Sequence, residues 1–352
     1  MTDAYAALAS SEDALCTVFD LVALDLDGVV YVGPDAVPHA ADALDQARGQ
    51  GARTAFVTNN ASRTPETVAD HLSSLGVEAA AEDVVNSAQA AARLLAQEHP
   101  TGSRIFVIGG EGLLVALRDR DLEPVTSIDD EPAAVVSGYA PDLPWERVRD
   151  GAILVKQGLP WVATNTDASV PTPYGRGPGN GVLVGVVADF AGRDPVVAGK
   201  PERALLDETV ERIGADRPIF VGDRVETDID GAHAAEMPGM LVLTGVSDLE
   251  LTLGLERGSR PEYVARDLRG LLHAHRPVQL DGIESGRCGE IEVSCRSEGE
   301  APVWQLNDLP GDDPQPALDA LRAVVALGWA RLDAGETVPD TQQIAERLGV
   351  ED

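Results

Sequence analysis

The strongest constraint on the fold is the regular alternation of short apolar runs with segments of helical periodicity. VFDLVALD (18–25) is mostly apolar and ends in acids, as suits a strand buried on both faces of a parallel sheet. A helical pattern from His39 to Gln50 stops at Gly51, and a second apolar run, TAFVTNN, follows. Thr64 and Pro65 have the form of an N-cap and a first helical residue, opening a helix that ends at Gly76. The alternation continues through SAQAAARLLAQEH, RIFVIGG, PAAVVSGY, a helix over Trp145–Gly158, and WVATN. A loop rich in Pro and Gly spans Val170–Gly181, and then GVLVGVVADFAG, PVVAGK, PERALLDETVERIG, PIFVGD and MLVLTG resume the pattern. Such repetition predicts an α/β protein with a largely parallel sheet.

The pattern changes after about His275. Val278–Gln305 predicts two short strands joined by a turn at ESGRCGE; a loop, LNDLPGDDPQP, then leads into an amphipathic helix, ALDALRAVVALGWARL. This is a C-terminal α+β appendage of about 75 residues, small for an independent core. Trp304 and Trp329 are expected to fill that core or its contact with the main domain, and His273 and His275 to be solvated near the junction.

Charge narrows the function classes. With 27 Lys plus Arg against 59 Asp plus Glu, the chain carries −32 and repels phosphate backbones and anionic lipid, which argues against nucleic-acid and membrane partners. No apolar run approaches the roughly 18 residues of a membrane span, and the acidic N-terminal stretch lacks the form of a signal peptide. Cys16, Cys288 and Cys295 make no metal or redox spacing, which predicts a cytoplasmic protein. Lysine occurs at only two positions, Lys156 and Lys200, which draws attention to both.

Ligands of open α/β sheets sit beyond the carboxyl ends of strands, and four such ends carry polar residues here. Asp25 and Asp27 close the first strand with Gly28 behind them. Carboxylates two residues apart in an extended segment face the same side, so one can act as nucleophile or metal ligand and the other as acid. Gly28 permits a sharp turn and predicts an N–H brought close to an anion. An isolated DxDG is a solvated acidic turn; its position after an apolar strand favours chemistry. Thr58 offers a hydroxyl, and Asn59 and Asn60 offer backbone N–H groups suited to phosphate oxygens, although a plain β-turn uses the same residues. Lys200, between Gly199 and Pro201, has a well-defined backbone, and Pro201 is expected to open the next helix. Asp223 and Asp228 add oxygen ligands for a hard cation such as Mg²⁺, or else complement a helix N-terminus. A site for an anionic substrate in so acidic a protein needs local cations, which Mg²⁺ and Lys200 provide.

DLDGV, TNN, GKP and GDRVETD, in this order, resemble the four motifs of the haloacid dehalogenase superfamily over about residues 18–270. The resemblance implies a Rossmannoid three-layer core with a parallel sheet, and Mg²⁺-dependent phosphoryl transfer through an aspartyl-phosphate. It makes Asp25 the nucleophile and Asp27 the general acid and base. Thr58 with the Asn59 and Asn60 backbone, Gly28 and Lys200 would bind phosphate. Asp223, the Asp25 carboxylate and the Asp27 carbonyl would hold the metal, with Asp228 supporting that shell. The second acid, Asp27, is a phosphatase feature that the dehalogenase branch lacks.

The interval from Asp27 to Thr58 is too short for a cap, whereas Thr58 to Lys200 leaves room for a cap of about 95 residues. An α/β cap at that point is similar to the subclass IIA phosphatases, which include p-nitrophenyl phosphatases and phosphoglycolate phosphatases. The expected division is a discontinuous core (15–82 and 179–275), a cap (83–178) and the appendage (276–352). VTNNASR, and PGNG before AGKP, resemble actinobacterial-type glycerol-3-phosphate phosphatases, which makes glycerol 3-phosphate the expected substrate. A phosphoglycolate or broad-specificity phosphatase is the alternative, and a retired phosphatase that binds a phosphometabolite is the reading from another class. The subclass leaves room for a homodimer through the cap. Val170 stands where the pyridoxal phosphate branch has a cap histidine, which argues against that substrate. Tyr139, Asn165, Asp167 and Arg176 are the cap candidates for substrate contact. Gly109, Gly110 and Gly112 lack full dinucleotide-loop spacing and predict a tight turn.

Overall fold

The computed structural model describes residues 7–172, 174–298, 301–307 and 313–350. The chain packs as two compact units: Met1–Thr54, Leu75–Val77 and Ala215–Asp352 form one, and Ala55–Ser74 with Glu78–Gly214 forms the other.

In the first unit, Leu21–Leu24 pairs in parallel with Pro218–Gly222, which pairs with Gly239–Val242, which pairs with Tyr263–Ala265. These strands are short and almost wholly buried, the burial that continuous apolar runs predict for a parallel sheet. Their carboxyl ends carry Asp25, Asp223 and the segment Thr244–Ser247.

The appendage belongs to this unit. Four antiparallel strands, Val278–Asp281, Ser285–Cys288, Ile291–Glu298 and Ala301–Leu306, stand where two were expected. The predicted turn ESGRCGE is itself largely strand, because its inward positions are Gly286 and Cys288, residues too small to register as an apolar alternation. The helix Pro314–Asp333 is capped by the Asp313 carboxylate, and part of the loop before it (308–312) lies outside the described residues. Among the described residues no separate small core forms. Val293, Cys295, Leu321, Val325 and Trp329 share one buried cluster with Ile229, Leu241, Leu249, Leu253 and Val264. A layer too small to bury itself is completed by the main sheet's apolar surface, so the boundary expected at residue 276 is not a boundary in packing.

The junction histidines also differ from expectation. His273 is half-buried, and His275 is fully buried between Arg322, which donates to its Nδ1 (3.0 Å), and the Gly270 carbonyl 3.0 Å from its Nε2. A guanidinium only donates, so Nδ1 accepts and Nε2 carries the proton. Burial, reinforced by the Arg322 charge, pushes the His275 pKa down to about 3.

The second unit holds a parallel five-stranded sheet in the order Val196–Val197, Trp161–Ala163, Ala134–Ser137, Arg104–Ile108, Glu123–Val125. It also holds most of Arg53–Thr58, paired in parallel with Val84–Asn86. The helix Asn180–Ala191 and the strand Val196–Val197, expected in the core, pack instead with the five-stranded sheet. Val184 and Val187 sit among Phe106, Ile108 and Val155. Where a Pro- and Gly-rich loop was expected, Ser169–Thr172 and Gly175–Pro178 form an antiparallel ribbon. The ribbon turns through Gly175 (φ +116°), with the Thr172 hydroxyl donating to the Gly175 carbonyl (2.6 Å). The glycine run at 109–112 joins strand to helix, and a Cβ on Gly112 would strike the Ala61 carbonyl.

Candidate active site

The first unit gathers the acidic candidates at the carboxyl edge of its sheet. Asp25 extends its strand by one bond, its N–H donating to the Val221 carbonyl (2.8 Å), and Asp223 leaves the neighbouring parallel strand. Adjacent parallel strands end on the same edge, which brings residues 198 positions apart in sequence together. Asp228 enters from a π-helical turn, Val225–Ile229, a geometry associated with functional sites. One side-chain oxygen from each of Asp25, Asp223 and Asp228 lies within 4.8 Å of the other two. Asp223 and Asp228 are buried and Asp25 is half-buried. Carboxylates gathered this closely repel one another unless a cation lies among them, and an all-oxygen donor set fits a hard divalent ion such as Mg²⁺.

Glycines make the room. A Cβ on Gly28 or Gly245 would collide with the Asp223 carboxylate, and one on Gly222 would collide with Asp228. Gly28 takes φ +89°, the sharp turn expected of it, but its N–H donates to the Tyr31 carbonyl (2.8 Å) and is spent on that turn rather than presented to an anion. Its carbonyl accepts from the Thr244 hydroxyl (2.6 Å). Asp27 is exposed, and its side chain is not among the clustered acids.

Sequence reasoning passed over the segment Thr244–Ser247. The Val246 N–H donates to Asp223 Oδ2 (2.7 Å) and the Ser247 N–H to the Asp223 carbonyl (3.0 Å), which fixes both ends of that residue. The available signal was the polar step TGVSD after the apolar run MLVL, another decorated strand end. Asp228 is held likewise: its carboxylate accepts from the Arg224 N–H (3.1 Å) and the Thr227 hydroxyl (3.4 Å).

The second unit holds its own group of expected site residues, around Thr58, Asn59 and Lys200. Thr58 ends its strand, and its hydroxyl accepts the Asn60 N–H (3.1 Å), so that N–H is engaged in a local turn rather than offered to phosphate. The Asn60 side chain caps Ser62 through its N–H (2.9 Å) and hydroxyl (2.7 Å). Asn59 acts through its side chain, which the sequence did not suggest. Its Oδ1 accepts the Lys200 N–H (2.8 Å) and its Nδ2 donates to the Lys200 carbonyl (3.0 Å), while the Asp167 carboxylate lies 3.3 Å from the same Nδ2. The Asn59 carbonyl accepts from Ser87 (2.6 Å) and Asn165 (2.7 Å), and the Asn165 carbonyl accepts from Asn180 (2.7 Å).

Lys200 is buried inside this frame, and a Cβ on Gly199 would crowd Asn59 Oδ1 and the Thr164 carbonyl. The following helix begins at Ala204 rather than at Pro201, after a turn in which the Glu202 N–H meets the Gly199 carbonyl (3.0 Å). Of the four cap candidates, Asn165 and Asp167 join the frame around Asn59; Tyr139 is half-buried and Arg176 stands exposed on the ribbon.

Residues 22–123 match the pattern of haloacid dehalogenase-like hydrolases and residues 197–271 that of HAD-hydrolase-like proteins. The chain is 38% identical over 310 residues to a D-glycerol 3-phosphate phosphatase of Mycobacterium tuberculosis, covering 88% of this chain and 86% of that one. It is 34% identical over 247 residues to an acid sugar phosphatase of Staphylococcus aureus, covering 70% of this chain and 93% of the relative. Among solved structures, a glycerol phosphate phosphatase from Mycobacterium tuberculosis in complex with magnesium superposes with a TM-score of 0.80 at 35% identity, over 96% of this chain and 100% of that one. A p-nitrophenyl phosphatase from Archaeoglobus fulgidus gives 0.66 at 30% identity over 72% and 98%.

Proposed function

Because the chain belongs to the haloacid dehalogenase-like hydrolases and is a phosphoric monoester hydrolase, we propose that it hydrolyses glycerol 3-phosphate to glycerol and inorganic phosphate. The observation that carries the substrate is the extent of likeness. Likeness to the glycerol phosphate phosphatase runs through the appendage, whereas likeness to the p-nitrophenyl phosphatase covers far less of the chain.

Asp25, Asp223 and Asp228, with the Asp27 carbonyl, would hold Mg²⁺. The bound ion supplies positive charge where phosphoryl oxygens meet a carboxylate nucleophile. A carboxylate oxygen of Asp25 attacks phosphorus in line, the ester P–O bond breaks, and protonated Asp27 gives its proton to the departing alkoxide. Asp27, now a carboxylate, takes a proton from water. The resulting hydroxide attacks the phosphorus of the aspartyl-phosphate, releasing phosphate and regenerating Asp25. Exposure of Asp27 suits a group that must exchange protons with both substrate and water. The Thr58 hydroxyl and the Lys200 ammonium bind the phosphoryl oxygens, and the Asn59 side chain fixes the Lys200 main chain from which that ammonium extends.

The second unit contains the expected cap, residues 83–178, which would exclude bulk water from the reaction. Its helix Asn180–Ala191 exposes Val182, Val186 and Phe190 at four-residue spacing, with Val196 nearby in sequence. That apolar stripe supports pairing of two caps in a homodimer. Among the described residues no helix is long and apolar enough to cross a membrane. The three cysteines, buried and free, suit the cytoplasmic location expected from the sequence. Phosphate release from a panel of glycerol 3-phosphate, 2-phosphoglycolate, p-nitrophenyl phosphate, pyridoxal phosphate and nucleotides tests the reading. Glycerol 3-phosphate should show the highest kcat/KM; a tenfold preference for another ester would replace it.

A further inference from the structure

The appendage touches the candidate metal site through one short relay. The Val246 and Ser247 N–H groups hold Asp223, and Asp248, the next residue, caps the helix Leu249–Leu253 by accepting the Leu251 N–H (2.7 Å). That helix rests on the appendage. The Trp329 indole N–H donates to the Thr252 carbonyl (2.8 Å), and Gly328 lies so close to Leu253 that a Cβ there would strike its side chain. The segment's far end is clamped too: Arg260, almost fully buried, stacks 4.9 Å over the Trp329 ring, donates to the Leu255 carbonyl (3.0 Å) and makes paired bonds to Asp333 (2.8 and 3.0 Å). Leu249, Leu253, Val324, Leu327 and Trp329 belong to one buried cluster. The helix Leu249–Leu253 has barely more than one turn, too short to be stable in isolation. Its order, and that of the loop before it, therefore comes from what it packs against.

From this relay we infer that the C-terminal appendage is a positioning element for the metal aspartate: Trp329 and its surroundings hold Leu249–Leu253 in place, and that helix holds the loop that orients Asp223. The p-nitrophenyl phosphatase from Archaeoglobus fulgidus covers 72% of this chain while nearly all of its own length is matched, so likeness to a phosphatase does not require the whole chain. In this protein the added layer packs against the helix that follows the metal loop. The role rests on the reading of Asp223 as a metal ligand and goes beyond it, because it assigns a task to residues 276–352.

The full-length Trp329→Phe variant keeps an aromatic side chain but removes the indole N–H and part of the ring packed under Arg260, so it weakens the relay at both contacts. Two measurements read the relay: amide hydrogen exchange over residues 244–254 in the metal-free protein, and Mn²⁺ affinity by electron paramagnetic resonance. The expected result is at least tenfold faster exchange at Val246–Leu253 and three- to tenfold weaker Mn²⁺ binding, with phosphate release at saturating metal changed less than twofold. Ile344→Val, in the appendage core and absent from the relay, is the control for general destabilisation and should leave both readouts at parental values. Unchanged exchange and affinity in Trp329→Phe, or equal changes in the control, would overturn the inference. Failure of the parent protein to bind Mn²⁺ while the variant still exchanges faster would overturn the metal assignment and leave the mechanical relay standing.

Discussion

The side chain of Asn59 grips the main chain of Lys200 from both sides, accepting its N–H at 2.8 Å and donating to its carbonyl at 3.0 Å. A primary amide presents a donor and an acceptor side by side, so it can satisfy one residue's backbone as a neighbouring strand would. The paired bonds fix where the buried ammonium emerges. The Asn59→Leu variant should lose on the order of 2 kcal/mol of transition-state stabilisation, a fall of about thirtyfold in kcat/KM. Asn59→Asp keeps the acceptor, loses the donor and faces Asp167 with a second negative charge, and should be at least as impaired. Steady-state kinetics with folding checked by circular dichroism measures both, and full activity in either would remove the frame from catalysis.

Asp25→Asn retains the shape of the nucleophile but not its charge. Phosphate release should fall by at least about a thousandfold while the protein stays folded. Removing divalent ions with EDTA should silence the parent enzyme and added Mg²⁺ should restore it. Turnover that survives chelation would dismiss the carboxylate cluster as a working metal site.

His275 couples stability to mild acid. Its folded pKa of about 3 lies below the ordinary histidine value of 6.5, so below that value the unfolded chain binds a proton that the folded chain refuses. The stability held by the neutral ring is complete above pH 6.5 and is lost as pH falls, at up to about 1.4 kcal/mol per pH unit until the folded pKa is reached. Urea unfolding of the parent between pH 6.5 and 5 should show this slope, and His275→Gln, which does not titrate, should flatten it. Identical slopes in the two proteins would exclude His275 as the source.

Much of the framework was legible along the chain. Apolar runs that end in acids or amides marked Asp25, Thr58 and Asp223 as strand ends, because a strand buried on both faces must be apolar along its length and polar where it emerges. The appendage hid its strands because Gly286 and Cys288 fill inward positions without adding bulk, and the ribbon at 169–178 hid behind prolines and glycines that also serve in loops. The N–H groups of Gly28 and Asn60, expected at an anion, are engaged here in short-range turns, to the Tyr31 carbonyl and the Thr58 hydroxyl, which spacing along the chain does not reveal.

What the sequence by itself determined was the inventory: an alternating α/β chain, two strand-end acids, a rare lysine between glycine and proline, and a net charge that demands local cations around a phosphate. Only the tertiary structure decided the partnerships. It gathered the Asp25, Asp223 and Asp228 carboxylates within reach of one ion, set the Asn59 amide on a lysine 141 positions away, and lodged Trp329 against the helix that follows the Asp223-holding loop. The physical reason is that periodicity and turn chemistry act over a few residues, whereas a hydrogen bond or a buried contact across the sheet is specified by the packing that delivers two distant segments to the same place.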